Sequence, residues 1–192
     1  SSGTTGRPKG IKIPITGEPL GTTNAPVDIL GTLYGVTEAV TYLSPAPLYH
    51  SAPLRFNMGV LRKGGTTIIM ERFDPEGALA LIERHQVSHS QWVPTMFVRL
   101  LERLTPEERA AFHAPALHTV LHGAAPVSRS VKQRMIDWWG PILHEYWGGT
   151  AGGVTTFVDS VGWPAPPAPA GHLLPLALLP PWSRRTPPPR RP

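Results

Sequence analysis

At 192 residues and 41% hydrophobic content, the chain is long enough for one domain with a sizeable core and too short for two full domains. A formal charge of +5 suggests an anionic partner, but residues 1–163 carry 14 Lys/Arg against 13 Asp/Glu. The excess is Arg184, Arg185, Arg190 and Arg191 in an acid-free tail, so no nucleic-acid groove is expected. The absence of cysteine excludes a disulfide framework, a thiolate metal site and a cysteine nucleophile. No apolar run approaches the roughly 20 residues of a membrane span, and no secretion signal is visible, so a cytoplasmic location is expected.

In chain order, residues 1–10 are a loop rich in glycine and hydroxyl side chains. Residues 11–33, broken by Pro14, Gly17, Pro19, Gly21 and Pro26, read as irregular with a helix as an option toward their end. Beyond residue 40, β-type runs alternate with helical ones. Thr66 to Met70 is β-branched and apolar after the turn Lys63-Gly64-Gly65, and predicts a strand. Asp74-Pro75-Glu76 then combines a cap, a first-turn proline and a first-turn acid, opening a helix to about His85. Val87 to Val93 reads as a strand and Pro94 to Leu104 as a helix, with Thr105-Pro106-Glu107-Glu108 opening a further short helix. His118 to His122 is a predicted strand ending at Gly123, Ser128 caps a helix through Trp139, and Ile142 to Trp147 is a strand ending at Gly148-Gly149. This alternation predicts an α/β fold, a mainly parallel sheet with helices on both faces. Ligands of such sheets bind outside the carboxyl ends of the strands, so the turns after residues 122 and 147 are the places to look.

The opening Ser1-Ser2-Gly3-Thr4-Thr5-Gly6-Arg7-Pro8-Lys9-Gly10 carries the most chemistry. Glycines and hydroxyl residues let backbone N–H groups and side-chain oxygens converge on one anion, and Lys9 adds a point charge suited to phosphate. It is not a P-loop, which needs Gly-Lys-Ser/Thr opening a helix. A bare Gly/Ser/Thr stretch is usually a linker; Pro8-Lys9-Gly10 is what favours a polyphosphate cradle.

This string resembles the phosphate-loop signature of the AMP-forming adenylating superfamily, which includes the acyl-CoA synthetases. Two more segments resemble that family in the same order: Pro47-Leu48-Tyr49-His50-Ser51-Ala52-Pro53 near its acyl pocket, and Gly123-Ala124-Ala125-Pro126 followed by Glu145-Tyr146-Trp147-Gly148-Gly149-Thr150. The resemblance covers residues 1 to about 163 and implies part of the large N-terminal domain of an acyl-CoA synthetase. It further implies that Ser2, Gly3, Thr4, Thr5, Gly6 and Lys9 hold the β- and γ-phosphates, that Gly123, Ala124 and Ala125 wall the adenine, and that Tyr146 stacks on it. Glu145, Trp147 and Gly148 complete the nucleotide site, Thr150 lies near the α-phosphate, and Lys9 and Thr150 are the catalytic pair. His50 and Trp92 are implied in the acyl pocket. The implied reaction joins a carboxylic acid, expected to be fatty or otherwise apolar, to ATP as an acyl-adenylate and passes the acyl group to CoA. Catalysis of that kind rests on positioning and charge stabilisation. Ala151 departs from the family pattern, which has a magnesium-binding glutamate there; a methyl offers magnesium no oxygen, so a weakened or lost Mg2+ site is expected.

The family's remaining N-terminal half, its ribose-binding aspartate, its hinge and its small C-terminal domain with a catalytic lysine have no counterpart here. The chain also starts without methionine, which suggests a piece of something longer, inactive alone. An amino-acid adenylation domain is the alternative, though residues 88–98 offer no acid for a substrate ammonium; a non-catalytic remnant with weak nucleotide binding is another. The Pro/Arg-rich residues 164–192, with 11 prolines in 29 positions, read as disordered, either a polyproline linker or out-of-frame translation of a GC-rich gene, the second being favoured. His85 and His89, four apart, lack a third metal ligand. Ser128 and Ser130 lack a nucleophile elbow. Trp92, Trp138, Trp139 and Trp147 are expected in the core more than as a stacking platform for nucleic acid, since no basic groove accompanies them.

Overall fold

The computed structural model describes residues 7, 10, 12, 17–19, 22, 25–149, 153–160, 162, 172 and 173. Their elements are α1 (Ala25–Tyr34), β1 (Thr41–Ser44), α2 (Ser51–Arg62), β2 (Thr66–Ile69), α3 (Pro75–Arg84), β3 (His89–Trp92), α4 (Pro94–Arg103), α5 (Pro106–Ala111), β4 (Thr119–His122), α6 (Arg129–Trp139), β5 (Leu143–Gly149), β6 (Gly153–Asp159) and β7 (His172–Leu173).

Helix starts follow local chemistry. Asp74 accepts a hydrogen bond from the Gly77 N–H at 2.8 Å, satisfying one of the orphan donors at the start of α3. Thr105 and Glu108 form a reciprocal capping box at α5. The Ser128 hydroxyl accepts from the Val131 N–H at 3.3 Å and begins α6.

The strands form one sheet in the order β2-β1-β3-β4-β5-β6-β7. The first five are parallel, in a register that aligns Leu43 with Ser90, Ser90 with Val120 and Val120 with Leu143. β6 and β7 then run antiparallel to their neighbours. From β1 the chain moves to β2 on one side and then crosses to β3 on the other, which makes the carboxyl ends of β1 and β3 a topological switch point. Because successive strand residues face opposite ways, each strand feeds two cores. Leu43, Trp92, Val120 and Leu143 meet α3, α4 and α6 on one face. Tyr42, Leu121 and Tyr146 meet α1 and α2 on the other. The α/β sheet with helices on both faces is therefore present.

Two sequence expectations change here. β5 does not stop at the glycine pair: Gly148 and Gly149 continue it by pairing with Val154 and Gly153 of β6, past an irregularity between Trp147 and Gly148. Antiparallel pairing supplies the backbone partners that the poor strand preference of glycine leaves unforeseen. Within the segment read as a disordered tail, His172 and Leu173 pair with Phe157 and Thr156.

Candidate functional site

The turn after β4 and the end of β5 lie side by side at the carboxyl edge of the sheet, with His122 in register with Glu145. Gly123 is buried there and packs directly on the next strand: a Cβ at this position would lie 2.6 Å from the Tyr146 carbonyl oxygen and 2.9 Å from two atoms of its ring. Any side chain would push β4 and β5 apart. Ala124 follows in the left-handed region with φ of 70°, and Ala124, Ala125 and Pro126 are exposed. The strand thus ends in a tight, outward-turned ledge of small residues, shaped to let a flat ligand approach backbone.

The two aromatic residues beside this ledge have opposite surroundings. Tyr146 is only 7% exposed. Its ring packs 5.5 Å from that of Phe56, and its hydroxyl accepts a hydrogen bond from the Gln91 side-chain amide at 3.1 Å. Burial, chiefly, raises its phenol far above the ordinary range, with the Gln91 bond opposing. The expectation that Tyr146 stacks on a base is at odds with this placement. Trp147, one residue on, faces the other way and is 66% exposed, so the expectation that it is a core residue is also corrected. The alternation of a strand decides which aromatic is offered to a ligand.

Glu145 shares the Trp147 face. Its carboxylate accepts from the Lys132 Nζ of α6 at 2.6 Å, with Lys132 fully buried and Glu145 partly open. Burial lowers the Lys132 pKa, opposed by the bond to Glu145 and the charges of Glu145 and Asp159. A buried ammonium left without its carboxylate would cost several kcal/mol, roughly 3 to 5, so the pair holds the end of β5 against α6. This buried lysine could have been suspected from sequence only by placing Lys132 on the inner face of α6.

His50 lies at the N-cap of α2, beyond the carboxyl end of β1, with an exposed ring 4.5 Å from that of Tyr49. Trp92, by contrast, is fully buried, stacked on Phe97 and edge-on to Phe73 and Trp139. Its place is in the core and not in an open acyl pocket, because its position in β3 directs it to the face covered by α4 and α6. His89 is a buried core residue as well, its ring nitrogens 2.7 Å from the Tyr34 carbonyl oxygen and 2.9 Å from the Ser88 hydroxyl. Ser2, Gly3, Thr4, Thr5, Gly6, Lys9, Thr150 and Ala151 lie outside the described residues. The structure therefore brings together the ledge Gly123 to Ala125, Glu145, Trp147 and Gly148, with His50 at the mouth of the switch point.

A model of the AMP-binding enzyme family matches residues 1–179. The chain belongs to that family. It is 33% identical over 156 residues to 4-coumarate–CoA ligase 1 of Oryza sativa subsp. japonica, covering 80% of this chain and 27% of the relative. It is 28% identical over 141 residues to the medium/long-chain-fatty-acid–CoA ligase FadD8 of Mycobacterium tuberculosis, covering 67% of this chain and 24% of the relative. The fold resembles the Bacillus subtilis o-succinylbenzoate CoA synthetase solved with its acyl-adenylate intermediate, with a TM-score of 0.73 at 23% identity over 91% of this chain and 34% of that one. The chain spans about a quarter of the length of these two curated relatives. Among the described residues, no helix is long and apolar enough to cross a membrane.

Proposed function

We propose that this chain carries the base-binding part of an AMP-forming acid–CoA ligase, which joins a carboxylic acid to ATP as an acyl-adenylate and passes the acyl group to the thiol of CoA. The observation that carries the reading is the pairing of a buried Gly123 ledge with the exposed indole of Trp147 at the carboxyl edge of a doubly wound sheet. A backbone ledge on one side and an aromatic face on the other suit a planar adenine, and the partly open Glu145 carboxylate can accept from its exocyclic amine. Trp147 takes the stacking role in this proposal in place of Tyr146. Lys9 and the hydroxyls of Thr4 and Thr5 are proposed to hold the β- and γ-phosphates, and Thr150 the α-phosphate. With Ala151 offering no oxygen, Mg2+ would be held by phosphate and water oxygens, and more weakly. The acid is one with an apolar body, as are coumarate and the fatty acids named for the relatives. The 192 residues alone are expected to make no acyl-CoA from ATP, CoA and such acids.

Titration with AMP, followed through tryptophan fluorescence and by calorimetry, tests the base site. Loss of one stacked ring is worth about 1 to 3 kcal/mol. Trp147→Ala should therefore weaken AMP by about fivefold to 150-fold, and Tyr146→Phe should leave it within about twofold. Equal affinities of Trp147→Ala and the unaltered chain would remove the base site from this strand.

A further inference from the structure

Among the described residues, Lys132 is the only lysine, arginine or carboxylate enclosed in the core, at 0% exposure. It stands where physical chemistry disfavours it. It lies near the start of α6, where the helix dipole repels a cation, and shares the buried face of that helix with Met135. An apolar side chain would fill the same space without burying a charge, so packing alone gives no reason for a lysine. The ammonium meets Glu145 Oε2 at 2.6 Å.

Only one of the two carboxylate oxygens is occupied in this way. Among the described residues Oε1 accepts no hydrogen bond, and it is not one of the buried unpaired oxygens, so it opens to solvent on a side chain that is 30% exposed. Glu145 precedes Trp147 by two residues on the same face of β5, a spacing of roughly 7 Å along a strand. Its register partner His122 leads directly into the Gly123 ledge. His122 is itself buried with neither ring nitrogen hydrogen-bonded, so it gives Glu145 no second partner. Asp159, whose charge also reaches Lys132, accepts the Gly162 N–H at 2.7 Å. A glutamate side chain has several rotatable bonds, and one left free must be ordered when a ligand arrives. Here that ordering is complete beforehand: Oε2 is tied into the core and Oε1 is left as a single open acceptor beside the ledge.

We propose that Lys132 is a positioning residue for the nucleotide: by tying Glu145 Oε2 into the core it presents Oε1 to the edge of the base, and so makes the site tell a purine with an exocyclic amine from one without it. This rests on the reading of the Gly123 ledge and Trp147 as the base site, and adds to it a residue that never touches the ligand.

The full chain is titrated by calorimetry with AMP and with purine riboside monophosphate, which lacks only the amine. A fixed, charged acceptor rejects the analogue that leaves it unpaired, so AMP should bind about tenfold more tightly or better. Lys132→Met removes the charge and keeps an unbranched apolar stem, and the released Glu145 can turn to water, so the variant should stay folded by circular dichroism. In it AMP should weaken by about tenfold and the analogue stay within about twofold, so that the preference disappears. A lysine that merely braced the strand would weaken both nucleotides by the same factor. Equal binding of the two nucleotides to the unaltered chain, an unchanged preference in Lys132→Met, a matching loss for both nucleotides, or failure of this variant to fold would overturn the proposal and leave the pair a structural brace. Trp147→Ala, titrated alongside, separates the two readings. If it weakens both nucleotides while the unaltered chain shows no preference, this inference alone falls; if AMP is preferred through Lys132 but Trp147→Ala binds it as before, the stacking role of Trp147 alone falls. Binding of neither nucleotide removes the base site and this inference with it.

Discussion

Two buried histidines show at the residue scale how position on a strand sets chemistry. His89 on β3 is brought down to about 4, chiefly by burial and further by His118 and His144, with the bond to the Tyr34 carbonyl opposing. His122 on β4 falls to about 3, through burial and then the charges of Lys132 and His144. Both are neutral when folded, whereas the unfolded chain takes up protons below the ordinary value of 6.5. Their contribution is thus complete above pH 6.5 and is lost as pH falls toward 4 and 3. The loss on going from neutral pH to about pH 4.5 is on the order of 2 to 3 kcal/mol for each ring. Urea melts across this range should show stability falling steeply below pH 6.5, with a shallower acid limb in His122→Leu; an unchanged limb would mean that His122 is not held neutral. Gly123 makes a steric argument of the same kind. Gly123→Ala places a methyl 2.6 Å from a backbone oxygen, and overpacking of that sort costs about 1 to 3 kcal/mol. The expected result is a lower urea midpoint together with weaker AMP binding.

Among the elements, four helices beyond residue 66 are legible in the sequence: α3, α5 and α6 through their caps, and α4, which has no side-chain cap, through its first-turn Pro94. Asp74, Thr105 and Ser128 each bond an N–H within three residues, so the information is local. Asp74→Ala should destabilise the chain by about 1 kcal/mol, read as a shift of the denaturation midpoint without a change of slope. Thr105→Ala, at the exposed α5 where no residue is buried, should fray that helix with little global effect, visible as faster amide exchange there alone. α2 and β1 carry no clear local signal in the amino-acid sequence. Pro45, Pro47 and Pro53 interrupt the first and its approach, while β1 is a four-residue strand whose partners β2 and β3 are long-range. Strands gain most of their definition from neighbours, so short central ones carry weak local signals. The end of β5 is masked in the same way, since Gly148 and Gly149 are held in the strand only by pairing with β6.

On the scale of the whole molecule, the described residues cover the sheet on both faces, and among them β2 is the edge strand and α2 turns Leu54, Met58 and Leu61, one helical stripe, outward, while Ile69 is exposed on β2 itself. An edge strand and an apolar stripe left open favour association. Size-exclusion chromatography with light scattering should find concentration-dependent oligomers, reduced when Met58→Lys and Leu61→Lys are combined; a monomer at every concentration would refute this. The doubly wound class, the strand and helix order from residue 66 to 147 and the Gly123 turn were legible in the amino-acid sequence, because periodicity, caps and glycine turns act over a few residues. Sequence motifs also pointed to the family, on contiguous strings such as Gly123 to Pro126. Which aromatic of the pair Tyr146 and Trp147 meets solvent was decided only by the tertiary structure, since a strand sends neighbours to opposite faces and only the packing of α2, through Phe56, settles which face is closed. The same holds for Trp92 in the core and for the Lys132–Glu145 pair. Tyr34 and His89 are 55 positions apart, and only the winding of the chain, which packs α1 on the sheet, brings the Tyr34 carbonyl oxygen to 2.7 Å from the His89 ring.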